Sequence, residues 1–138
     1  MRPLTVAALL AALAGCGGGG GAATTSTTHA KPAAKIRVQL TGQSHHPKVG
    51  KRWHYEVKVT DASGKPVAAD IHLQFLFGGI PVGQVGRHHV TDGFWRETFG
   101  TPGNPAFPAR ARGQPLVLQA VVTALGETRK ASYSIRVQ

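Results

Sequence analysis

An all-β domain, an antiparallel sandwich of about seven strands, is what this sequence predicts. Apolar residues along positions 35–138 recur with period two, short alternating runs are separated by turn-forming residues, and no segment there carries the 3.6-residue periodicity of an amphipathic helix. About a hundred residues suffice for one domain with a modest core.

The elements follow in order. Ile36, Val38 and Leu40 share one face while Lys35, Arg37 and Gln39 take the other. Trp53, Tyr55, Val57 and Val59 alternate with His54, Glu56, Lys58 and Thr60, as in a strand wet on one side. Residues 61–66, DASGKP, are turn chemistry, after which Ile71, Leu73, Phe75 and Phe77 resume the alternation. Gly78 and Gly79 make a two-residue hairpin break before IPVGQV. Asp92 and Gly93 precede a short FWRETF strand, and a long Pro/Gly loop runs from Gly100 to Pro115. In the last hairpin, Gly126 and Glu127 are placed as the loop residues. Ala124 then faces Arg129, Val122 faces Ala131, Ala120 faces Tyr133, Leu118 faces Ile135 and Leu116 faces Val137.

Before this domain lie two segments of other character. Arg2 and the apolar run Leu4 to Leu13 match a signal-peptide start and fall short of the roughly 20 residues that span a bilayer. Leu13, Ala14, Gly15 and Cys16 follow, and this stretch resembles the lipobox of bacterial lipoproteins. The resemblance implies cleavage between Gly15 and Cys16, acylation (palmitate-type chains) on Cys16, and an extracytoplasmic protein held to the cell membrane by lipid. Residues 1–15 are then the signal peptide and 16–34 the lipidated cysteine with a Gly/Thr/Ala-rich tether, expected to be flexible because it cannot bury enough surface to offset its ordering entropy. Cys16 is the sole cysteine, so no internal disulfide supports the domain. Two or three acyl chains would hold the protein where one would hold it only marginally.

Within Val49 to Phe77, the residues Thr60, Asp61, Gly64, Pro66 and Val67 resemble bacterial Ig-like modules, in which a strand ends in Thr-Asp and a Gly-Lys/Asn-Pro-Val turn leads into the next. That resemblance implies an Ig-like sandwich for residues 35–138. Such modules serve as spacers, adhesins and binding platforms, so the likeness names no ligand.

Sixteen Lys and Arg against six Asp and Glu give a net charge of +10; loss of Arg2 with the signal leaves fifteen against six, or +9. Such a surface attracts polyanions. Nucleic acid is not expected as a partner, because Trp53, Tyr55, Phe75, Phe77 and Tyr133 fall on the apolar face instead of interleaving with cations. Anionic lipids or envelope polymers fit better, with Lys48, Lys51, Arg52, Arg87, Arg110 and Arg112 as candidate contacts, and envelope proteins are a further class of partner.

Seven histidines raise a metal alternative. His45-His46 and His88-His89 fall in expected loops. If the strands around Ser63 pair directly, His54 and His72 face each other across the ladder; if the strands belong to different sheets, they are apart. No catalytic site is assigned and no cofactor is implied. There is no Gly-x-Ser-x-Gly, and Asp61, Asp92 and Glu127, half of the six carboxylates, are placed in turns. The sequence reads as a non-enzymatic, membrane-anchored lipoprotein with an Ig-like binding or structural module of the cell envelope. The alternatives are a histidine-based metal-binding protein and an accessory domain of an envelope assembly. The latter would be marked by an exposed apolar patch around Leu76, Ile80, Phe94 and Trp95.

Overall fold

The computed structural model describes residues 33–138. The expected signal peptide, Cys16 and tether lie outside the described residues. Seven strands run in the order β1 (Ile36–Gly42), β2 (Trp53–Asp61), β3 (Ala69–Phe77), β4 (Ile80–Val90), β5 (Phe94–Phe99), β6 (Pro115–Ala124) and β7 (Glu127–Arg136), with one 3-10 turn at Ala109–Ala111. They form two antiparallel sheets, β1-β2-β5 and β4-β3-β6-β7. This is the Ig-like sandwich with its fourth strand hydrogen-bonded to the third rather than to the fifth.

Burial follows the alternation. Trp53, Tyr55, Val57 and Val59 of β2 meet Ile71, Leu73, Leu118, Ala120 and Val122 of the facing sheet in one core, all nearly inaccessible to solvent. Among the described residues every buried core residue lies between Ile36 and Val137, so residues 33–138 make one compact unit with its own core. Phe107, set in the Pro/Gly loop, is buried as well. It packs edge-on to Trp53 and to Phe75, each at 5.9 Å between ring centroids.

Two turns were legible in detail. Gly78 and Gly79, at φ 57° and 83°, close the Phe77/Ile80 hairpin in two residues. Asp61 accepts hydrogen bonds from the Ser63 hydroxyl and from the backbone N–H groups of Ser63 and Lys65, which shapes the turn and lowers its carboxyl below the usual range.

The last hairpin differs from expectation. Its loop is Leu125-Gly126, both at positive φ (50° and 71°), and Ala124 pairs with Glu127, Val122 with Arg129 and Leu118 with Tyr133. The register is displaced by two residues, which preserves the inward face and changes each partner. Glu127 therefore opens β7 instead of sitting in the turn. Its carboxylate accepts the Lys35 N–H at 2.7 Å and the Ile36 N–H at 3.3 Å and pairs with Arg129 at 2.6 Å, tying the start of β1 to the opposite sheet. β4 is also longer than expected and includes His88 and His89, because pairing with β3 carries a glycine- and histidine-rich sequence of weak strand propensity.

Gly93 makes the crossover from β4 to β5. At φ 66° its carbonyl accepts the Val59 N–H at 2.7 Å, and a Cβ there would lie 2.3 Å from the Val59 carbonyl oxygen and 2.9 Å from Val67 backbone. Gly93→Ala is expected to cost ~3 kcal/mol by combining left-handed strain with overpacking, read as a shift in the urea unfolding midpoint. A loss below about 0.5 kcal/mol would contradict this packing.

Burial would raise the Glu127 carboxyl, but Arg129 and the two N–H donors outweigh it and hold it below 4.5. A depressed folded value stabilises above the unfolded one and is lost as pH falls. Glu127→Gln should therefore lower the melting temperature at neutral pH, with the deficit shrinking as pH drops below 4.5. A pH-independent deficit would rule out the ion pair as its source.

Candidate functional site

The strands run between two ends of the sandwich, about 30 Å apart for a nine-residue strand. The entry pole holds the start of β1, the β2–β3 and β4–β5 connections and the Leu125-Gly126 turn. The far pole holds the β1–β2 loop (residues 43–52), the tip of the β3–β4 hairpin, the β5–β6 loop (residues 100–114) and the end of β7.

Basic residues stand at both ends, Lys35, Arg37 and Lys65 among those at or near the entry pole, but carboxylates do not. Asp61, Asp70, Asp92 and Glu127 lie at or next to the entry pole, whereas Glu56 and Glu97 lie mid-strand. Lys48, Lys51, Arg52, Arg110 and Arg112 are exposed on the two far-pole loops, joined by Arg136 from the end of β7. No side-chain carboxylate lies on either far-pole loop, and none of these six cations enters a salt bridge among the described residues.

The two loops are fixed to the core and to each other. Trp53 Nε1 donates to the Ser44 carbonyl at 3.0 Å, the Gly50 N–H to Phe107 O at 3.2 Å, and the Val49 N–H to Gln138 O at 2.8 Å. The Gly113 N–H donates to Val137 O at 2.7 Å. A shallow groove of about 280 Å³ is lined by Lys48, Lys51, Arg52 and His46, and a neighbouring one of about 200 Å³ shares Lys51 and Arg52 with the loop around Thr101. Together these form a preorganised cationic surface.

Of the six cations singled out by sequence, five lie at this pole. Arg87 instead stands on the outer face of β4, level with His72. Arg136 was missed because it belongs to a strand, and only the β7 pairing shows that the strand ends here.

The histidines are scattered. His54 on β2 is level with Thr98, and His72 on β3 is level with Arg87 and Val121, so the two belong to different sheets and do not face each other. His45 stacks on Tyr133 at 4.3 Å and its Nδ1 meets Ser134 O at 2.7 Å, while His46 is exposed in the loop. His72 is bonded to Gln84, and His89 to Asp70 at 2.8 Å, along an open cleft of about 640 Å³ on the outer sheet face. These polar groups pair with one another, and no three His, Cys, Asp or Glu side chains are grouped for a metal among the described residues.

His88 points between the sheets. It stacks on Trp95 at 3.8 Å, and its buried Nε2 lies 3.6 Å from Glu97 without a hydrogen bond. Tyr55 donates its hydroxyl to Glu97 and accepts from Trp95 Nε1 at 3.3 Å. Desolvation first, and then the Glu97 carboxylate, push the Tyr55 phenol far above its usual value. Trp95, off the pattern of its neighbours in the sequence, thus covers a small polar cluster at the open seam. Leu76 is buried on β3, and Phe94 and Ile80 lie at opposite poles, so the patch expected from these four residues does not form.

No family model matches the chain, and no curated protein matches it. Among solved structures, a DUF4785 family protein from Legionella pneumophila superimposes with a TM-score of 0.56 at 12% identity, over 77% of this chain and 29% of that one. The chain thus spans less than a third of that protein's length. The CARDB domain of a Pyrococcus furiosus protein, in complex with di-metal ions, gives 0.47 at 18% identity over 76% of this chain and 89% of that one. The PmoD soluble domain from Methylocystis gives 0.43 at 8% identity, over 77% and 93%. The likeness to the Legionella protein concerns the fold alone.

Because the folded phenol value is raised, the Tyr55 contribution to stability is complete below pH 10 and is lost as pH rises beyond it. Tyr55→Phe should cost about 1–2 kcal/mol at neutral pH and flatten the fall of the unfolding midpoint above pH 10. Equal alkaline slopes in the two proteins would place the phenol in water.

Proposed function

We propose that this protein is a lipid-anchored module of the cell envelope that binds polyanions with its far pole. The observation that carries this reading is the unbalanced far pole: among the described residues, six exposed cations stand there without carboxylate partners, whereas the entry pole mixes both signs. Unpaired cations on loops held by backbone hydrogen bonds lose side-chain but little backbone freedom on meeting an anion, and their summed field draws it in from solution. In this reading the Leu13–Cys16 lipobox resemblance supports both the anchor and a location outside the cytoplasm.

Two measurements test it. Cys16→Ala should move the protein from the membrane fraction to the soluble one; retention in the membrane would remove the lipid anchor. Residues 33–138 should bind long-chain polyphosphate, with affinity falling roughly tenfold or more between about 50 and 200 mM salt. Lys48→Glu, Lys51→Glu and Arg52→Glu together should weaken that binding at least about tenfold, and Lys65→Glu at the entry pole should not. Indifference to salt, or equal losses in both variants, would overturn the assignment of the pole.

A further inference from the structure

The far pole also carries the apolar tip of the β3–β4 hairpin. Phe77, Ile80 and Val82 are 43%, 68% and 58% exposed there, three of the five large apolar side chains that the described domain presents to solvent. The other two, Phe94 and Leu125, stand at the entry pole. Gly78 and Gly79 turn the chain at the very end of the hairpin, with Phe77 and Ile80 paired directly beside the turn.

The tip is in register with the cations. Phe77 lies one step before the level of Pro115 on β6, and Pro115 pairs with Arg136 on β7. Ile80 and Arg136 are therefore three strands apart near one end of one sheet, on the order of 14 Å at about 4.8 Å per strand. Arg112 precedes the same β6 strand by three residues.

We propose that this pole docks onto an anionic lipid bilayer, with Phe77, Ile80 and Val82 entering the headgroup–acyl boundary and the surrounding Lys and Arg side chains on the lipid phosphates. This rests on the polyanion reading of the pole and names the partner. Two features select a bilayer over a protein. The exposed apolar area of the three residues is on the order of 300 Å², below the roughly 450 Å² of apolar area within the roughly 800 Å² that each partner of a stable protein interface buries. An interfacial anchor needs only a few apolar side chains when cations flank them, because each basic residue adds its own attraction to an anionic surface. A soluble polymer, in turn, offers nothing for Ile80 to enter.

The experiment uses residues 33–138, which contain no cysteine. An environment-sensitive fluorophore is placed by Ile80→Cys at the tip or by Leu125→Cys at the entry pole. On adding phosphatidylglycerol vesicles, the Ile80 probe should shift to the blue and brighten while the Leu125 probe stays unchanged. The variant combining Phe77→Ser, Ile80→Ser and Val82→Ser should lose vesicle affinity by about tenfold or more while keeping the near-UV circular dichroism and polyphosphate affinity of the parent. An Ile80 probe that remains in water, or a triple variant that binds vesicles like the parent, would overturn the insertion and leave the polyanion reading standing. Loss of polyphosphate binding in the charge-reversed loop variant with vesicle binding unaffected would also overturn it. Absence of binding to both probes would remove the underlying reading instead. Concentration-dependent self-association abolished in the triple variant would assign the tip to a second copy of the chain.

Discussion

The burial of Trp53 is the contact on which both the core and the far pole depend. Its ring stacks on Tyr55 and Phe99, meets Phe107 edge-on, and lies against Tyr133 from the opposite sheet. Gly42 leaves the space it needs, since a Cβ there would come within 2.4 Å of the indole. In a domain whose described residues include no cysteine, such aromatic burial does what a disulfide does in small disulfide-bonded sandwiches. The same indole donates to Ser44, so the packing that closes the core also fixes the root of the β1–β2 loop.

Phe107 extends this logic to the second loop. A fifteen-residue connection rich in Pro and Gly would ordinarily be mobile, yet here one buried ring plugs the end of the sandwich and backbone bonds join the loop to Gly50 and Val137. The cations at Lys51, Arg52, Arg110 and Arg112 are carried on these anchored segments. Their mutual repulsion is therefore borne by the core rather than relieved by loop movement. That repulsion is a cost to folding, and it is tolerated only where burial exceeds it.

The strands with one buried face were legible because period two leaves little freedom. A one-residue slip in β2 would turn Trp53 and Tyr55 to water and His54 and Glu56 inward. The Gly78-Gly79 turn was legible for the same kind of reason, since two glycines meet the positive φ of a tight hairpin at no steric cost. Leu125 concealed the other hairpin. A branched apolar residue in the left-handed region is unfavourable, so local chemistry pointed to Gly126-Glu127, and the true register is set by pairing along ten residues of β6 and β7. Phe107 was hidden for a similar reason. Its neighbours give no periodicity, and only the gap at the end of the sandwich explains its burial. Individual basic loop residues could be named from the sequence, but their shared pole could not, because it depends on which loops the strand order brings to one end.

The seam between β4 and β5 is the opposite case, a place where the sandwich leaves polar groups unmatched. β4 and β5 are edge strands of different sheets, and inward-facing Glu97 and His88 meet there under Trp95. An inward charge on an edge strand disfavours pairing with another chain, since any strand added there would desolvate it. Gly86 lets the His88 ring fold back over its own strand, with a would-be Cβ at 2.8 Å from Nε2. Tyr55 then satisfies Glu97 from the core side, which keeps the carboxylate solvated by a hydroxyl without admitting a second strand. Sheet extension is thus discouraged along the β4–β5 side of the molecule, while the apolar hairpin tip is exposed at its end. On the binding reading proposed above, the contact surface is the far pole, where cations and exposed apolar side chains coincide.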